Sequence, residues 1–298
     1  AAVHELPLQM VYEGLCTGLR IDHVDGLYDP RGYLFALRAA CAPAEPYLVV
    51  EKILLGDEAL PPSWPVQGTT GYDFAALLNG VLCEPRGARE LLALYRERCV
   101  GLLGVLPRYP EVVYQCKRLI LETSLASELH VLTTRLARIA ARQRLARDFT
   151  FNSLEGALAE VIACLPVYRS YLTPDALPQR GDDRNRGAVL LALQEARRRN
   201  PTQSRTLYDF IGTLLLTAPA DGTSGEARSD ERVDERASKQ ASERAEDRAA
   251  VLMRFQQLSG PVMAKGVEDT ALYRFFPLTA LNDVGGAPDG KGAAGSRT

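Results

Sequence analysis

No apolar run in this chain is long enough to cross a bilayer, so no membrane span is expected. The N-terminus has no basic segment leading into an apolar core, and no signal peptide is expected there. Neither sign of charge dominates: 35 Lys and Arg against 37 Asp and Glu leave a formal net charge of -2. Without a global field, nucleic acid and anionic lipid are not expected partners, and a neutral substrate fits better than a polyanion. The six cysteines, Cys16, Cys41, Cys83, Cys99, Cys116 and Cys164, include no CxxC pair and sit mostly among apolar residues. They read as reduced core thiols rather than disulfides or ligands, which points to the cytoplasm.

What is present is a pattern. The 298 residues suffice for one large domain or about two ordinary ones. Apolar residues at Val3, Leu6, Met10, Val11 and Leu15 follow helical spacing, with Pro7 in the first turn or kinking it. Residues 18–21 read as a buried strand that stops at Asp22, His23 and Asp25. Asp29, Pro30 and Arg31 open the next helix, whose buried face is Tyr33, Leu34, Leu37 and Cys41. A second apolar run, 47–50, ends in Glu51. Helix, strand, helix, strand with short connections is the pattern of a parallel sheet with crossover helices.

After Glu51 the periodicity stops. Residues 55–73 hold Pro61, Pro62, Trp64, Pro65 and the polar GTTGYDF, which reads as a functional loop. Trp64, the only tryptophan, is either an exposed platform for a sugar ring or a plug in the core beneath the loop. From Gly87 the chain turns helical, with 110–147 reading as one long amphipathic helix and further helices at 153–165, 184–199 and 206–216. Residues 226–248 carry both charges with almost no apolar residue, as a solvated helix or a partly disordered segment does. Order resumes at Val251. The expected division is 1–86, a helical subdomain 87–259, and a return to the first pattern at 260–298.

Asp22, His23 and Asp25 taken alone are competent metal ligands, or loop residues bonding local backbone N–H groups. No second histidine cluster follows, and neither metal nor cofactor is expected. Glu51 gives the cluster a third reading. If 18–21 and 47–50 are neighbouring parallel strands, Asp22 and Glu51 emerge on one rim, where barrel enzymes carry their catalytic groups. Two facing carboxylates can divide the roles of nucleophile and general acid in glycoside chemistry. Arg20, two residues before Asp22, faces the same side of its strand and can hold that aspartate ionised. Glu51, opposite an anion and partly desolvated, is expected to keep its proton.

GLRIDHVDGLYDPRGYL and VVEKIL resemble the fourth- and fifth-strand motifs of the alpha-amylase superfamily. DHVDGL, EKIL, LPPSWPVQGTTGYDF, PVYRSYL and GPVMAKGVEDTALYR, in that order, are similar to the maltooligosyl trehalose synthase family within it. The resemblance implies a partial (β/α)8 TIM barrel with a large, mostly helical inserted subdomain. It implies Asp22 as nucleophile, Glu51 as general acid/base and Arg20 as the orienting partner of Asp22. His23 and Asp25 become near-site residues, and Trp64, Tyr72, Asp73, Lys265, Glu268 and Asp269 contributors to sugar subsites. Lys265 and Asp269 are equally an ion pair at helical spacing. The implied substrate is a maltooligosaccharide or other α-1,4-glucan, and the implied partner in metabolism is a trehalose-releasing hydrolase.

The superfamily also uses a His-Asp motif on the seventh strand and an Asp/Asn/His motif on the third. Neither occurs here. The resemblance therefore implies that both lie outside these residues and that the chain is an internal piece of a longer enzyme.

Overall fold

The computed structural model describes residues 2–103, 108–174, 182–216, 231–286 and 288. The chain divides into two units, one of residues 1–116 with 264–298 and one of Lys117–Met263.

In the first unit a 3-10 turn, Ala2–His4, leads into helix α1, Glu5–Tyr12, followed by strand β1, Gly18–Ile21, and helix α2, Pro30–Cys41. Strand β2, Tyr47–Val50, and the two-residue strand β3, Gly68–Thr69, complete a sheet of order β1-β2-β3. All pairings are parallel. Gly18 pairs with Tyr47 and Ile21 with Val50, so the two strands end level with each other. Helix α2 forms where expected because Asp29 caps it, accepting from the Gly32 amide at 2.9 Å, and Pro30 supplies a preset first position. Its Leu34, Leu37 and Cys41 are buried. On α1, by contrast, only Val11 is buried; Leu6 and Met10 are exposed, as are Val3 before the helix and Leu15 after it.

Three strands do not close a barrel, so the described residues show a small parallel sheet among helices and no more of the expected barrel than that. The expected loop 55–73 also contains structure. Its end forms β3, and Tyr72 already begins helix α3, Tyr72–Val81, entered through Gly71 at a φ of 88°. Helix α4, Pro85–Leu103, and the first part of helix α5, Tyr109–Glu122, follow. Val112 and Cys116 of α5 pack with Ala271 and Phe275 from the far end of the chain.

The second unit is helical. The single helix expected over 110–147 is two: α5 ends at Glu122, and α6 runs Ala126–Ala141. Thr123 explains the break. The Thr123 hydroxyl donates to the Leu119 carbonyl at 2.6 Å, and the Leu125 amide reaches five residues back to Ile120. Helix α7, Phe151–Ala163, starts at a Thr150 cap and has a nearly unbroken buried run from Ala157 to Ala163, as suits a central helix. Helices α8, Asp182–Arg199, α9, Arg205–Leu216, and α10, Glu231–Met263, pack with α6 and α7. Of the mixed-charge stretch 226–248, the part from Glu231 is helix and the rest lies outside the described residues. PVYRSYL is held against α10: Gln256 accepts from the Ser170 hydroxyl and the Leu172 amide, and Ser259 donates to the Tyr168 carbonyl. Back in the first unit, Ala264–Ala271 forms a π-helix.

Candidate active site

The level ends of β1 and β2 deliver Asp22 and Glu51 to the same edge of the sheet, because the register pairs Ile21 with Val50 one residue earlier. The Glu51 amide continues the ladder, donating to the Ile21 carbonyl at 2.7 Å. Beyond it the chains separate and the side chains take over. One guanidinium nitrogen of Arg20 lies 3.0 Å from Asp22 Oδ1 and 3.9 Å from Glu51 Oε1. Those two oxygens are therefore no farther apart than the two legs combined. That ceiling accommodates the roughly 5 Å spacing of retaining glycosidases and leaves out most of the roughly 6.5–9.5 Å range of inverting ones.

Glu51 is the more enclosed carboxylate, its side chain 21% exposed against 75% for Asp22. Its Oε2 accepts from the His23 backbone amide at 2.8 Å and its Oε1 from the Tyr72 hydroxyl at 3.2 Å. His23 offers that amide from a left-handed conformation, φ 47°, and its imidazole ring packs over Gly26, where any Cβ would stand 2.7 Å from it. Tyr72 is brought in by its place at the start of α3. Burial raises its phenol pKa above the usual tyrosine range, and the adjacent Glu51 charge and hydrogen bond add to the shift. The phenol thus stays a donor at neutral pH. Glu268 adds a smaller rise in the same direction, which puts it within electrostatic reach of Tyr72.

The remaining expected site residues have surroundings of their own. Trp64 is buried at 6% exposure, so it fills the core beneath the loop and is not an exposed sugar platform. A large apolar ring between prolines was more readily satisfied by packing than by solvent. Asp25 is also buried, facing Lys52 at 3.6 Å. Asp73 accepts from the Thr69 hydroxyl at 3.2 Å. Lys265 and Asp269 pair with each other at 4.0 Å on the π-helix. Lys52, which is buried, and its half-buried partner Glu58 carry no signature in the apolar pattern above. A lysine directly after the acid that ends an apolar strand was the available signal, since a buried ammonium requires partners. Among the described residues no group of three His, Cys, Asp or Glu side chains could hold a metal ion.

The site is thus a carboxylate pair at the ends of parallel strands, bridged by an arginine. No family model matches the chain. A Mycobacterium tuberculosis protein provisionally named maltooligosyl trehalose synthase is 33% identical over 285 residues. The likeness is to maltooligosyl trehalose synthase. It extends over 95% of this chain, which spans 30% of the length of that curated relative. The solved maltooligosyltrehalose synthase of Arthrobacter ramosus matches with a TM-score of 0.72 at 33% identity, covering 97% of this chain and 31% of that one. A solved glycosyltrehalose synthase matches with a TM-score of 0.61 at 25% identity, covering 95% of this chain and 28% of its own. The chain is thus similar to maltooligosyl trehalose synthases along nearly all its length.

Proposed function

We propose that this chain carries the acid pair of an intramolecular transglycosylase in trehalose biosynthesis, which turns the reducing-end α-1,4 linkage of a maltooligosaccharide into an α,α-1,1 linkage. The Arg20 bridge between Asp22 and Glu51 is the observation that carries this reading, since it keeps the two carboxylates close enough to leave the spacing of retaining enzymes open. The relatives' names supply the substrate class and the product. In this reading the sheet is part of a (β/α)8 barrel, the helical unit is its insertion, and the third carboxylate comes from outside these residues.

Asp22 attacks the anomeric carbon next to the terminal glucose while Glu51 protonates the departing glycosidic oxygen. A covalent glycosyl-enzyme forms and the terminal glucose is retained. Glu51, now the base, takes the proton from the anomeric hydroxyl of that glucose, which attacks the same carbon and frees Asp22. Two inversions at one centre give net retention. The His23 amide and the Tyr72 hydroxyl steady Glu51 through both proton transfers. The glucose must outcompete water, so the site has to close around it. The free cysteines are consistent with a reducing, cytoplasmic setting, where a trehalose-releasing hydrolase would consume the product.

Maltopentaose incubated with a protein containing this whole chain tests the reading. A non-reducing product of unchanged mass is expected, and its formation should stop in Asp22→Asn with the fold intact. Shorter reducing sugars would indicate a glucan hydrolase or glucanotransferase instead. Saturable binding without turnover would indicate a glucan-binding role.

A further inference from the structure

Next to the acid pair along the chain is a second ionic cluster that takes no part in the chemistry above. Lys52 Nζ stands 2.9 Å from Glu58 Oε1 and 3.6 Å from Asp25 Oδ2, and donates to the Ile53 carbonyl at 2.7 Å. The lysine and aspartate side chains are 1% and 6% exposed. Removing such charges from water is unfavourable, and replacing them with packed apolar residues is often neutral or better for stability. An ionic cluster in this position therefore calls for an explanation other than stability alone.

Its location supplies one. Lys52 follows Glu51 directly. Asp25 lies in the 3-10 turn Val24–Gly26, directly after His23, whose amide binds Glu51. Glu58 accepts from the Leu55 amide at 3.2 Å, and the Glu58 amide donates back to the Leu55 carbonyl, so it pins the start of the loop after β2. One ammonium thus joins the segment after β1 to the segment after β2 at the point where the ladder bonds end. A change of a few tenths of an ångström there would alter the His23–Glu51 hydrogen bond.

We infer that Lys52 is a positioning residue: through Asp25 and Glu58 it fixes the two strand-end segments so that Asp22 and Glu51 keep their mutual geometry. The kinetic part of this inference rests on the functional reading above; the structural part does not.

The test uses Lys52→Met and the charge-free triple variant Lys52→Met/Asp25→Asn/Glu58→Gln in a protein containing the whole chain. Hydrogen exchange at the His23 amide is expected to quicken about tenfold or more in both, while amides of residues 117–163 keep their protection. Turnover of maltopentaose should lose about tenfold or more in kcat, with KM within about threefold. The triple variant should recover the melting temperature without recovering kcat, which a purely structural cluster would not do. Wild-type His23 exchange in either folded variant overturns the proposal, as does recovery of kcat along with stability. Failure of both variants to fold makes Lys52 a folding determinant and also overturns it. If the unaltered protein does not convert maltopentaose, the functional reading fails while His23 exchange still decides the positioning role.

Discussion

At the scale of residues, Tyr72 and Trp64 came from the same irregular stretch and met opposite fates. Tyr72 donates to the enclosed carboxylate Glu51, a charge-assisted bond of about 1.5–3 kcal/mol when Glu51 is ionised. Tyr72→Phe should therefore lower kcat about tenfold or more and lower the melting temperature by about 3 °C or more, measured by steady-state kinetics beside a thermal melt. Trp64 is core. Trp64→Ala should cost about 3–5 kcal/mol of stability, seen as an earlier denaturant midpoint, whatever happens to the products. Asp22, Glu51 and Arg20 were legible because an acid ending an apolar run, and an arginine two positions before it, are local patterns. The roles of Asp25, Lys52 and Glu58 were not, since their pairing joins residues that touch only after the strand ends are brought level.

Among the elements, the helices of the second unit surround ionisable groups with little access to water. Burial lowers the Lys117 pKa to about 7, and its ammonium donates to the Leu165 carbonyl. Burial first, and the Glu160 charge second, push the Cys164 thiol up to about 12. The two groups act in opposite directions. From about pH 7 toward the ordinary lysine value of 10.5, the unfolded chain binds the extra proton at Lys117, so stability rises with pH. Above the ordinary thiol value of 9.0, folded Cys164 keeps a proton that the unfolded chain has lost, so stability falls. Between pH 9 and 10 the two slopes cancel, so melting of residues 117–263, followed by helical circular dichroism, should be latest there, and Lys117→Met should remove the rising limb below pH 9. Periodicity revealed β1, β2, α2 and the helices of the second unit, but not β3, α3 or the π-helix. The break between α5 and α6 stayed hidden, because the leucine spacing continues across it while the backbone is diverted by the Thr123 hydroxyl.

For the whole molecule, the exposed apolar surface is the dominant physical fact. Phe74, Leu77, Leu78, Val81 and Leu82 in and just after α3 are exposed, as are most apolar residues of α1. Patches of this kind associate in water. The 298-residue chain by itself should self-associate, and Leu77→Lys/Val81→Lys should shift it toward monomer in light scattering coupled to gel filtration. No helix among the described residues is long and apolar enough to cross a membrane. The sequence by itself determined where β1, β2 and α2 form and which acids end the two strands, because hydrophobic period, caps and strand termini are written within a few residues of each other. Only the tertiary structure decided that Arg20 reaches both Asp22 and Glu51, that Tyr72 reaches across to Glu51, and that Asp25 turns inward to Lys52. Those outcomes depend on the parallel register of β1 with β2, and a register is a property of two segments rather than of either one.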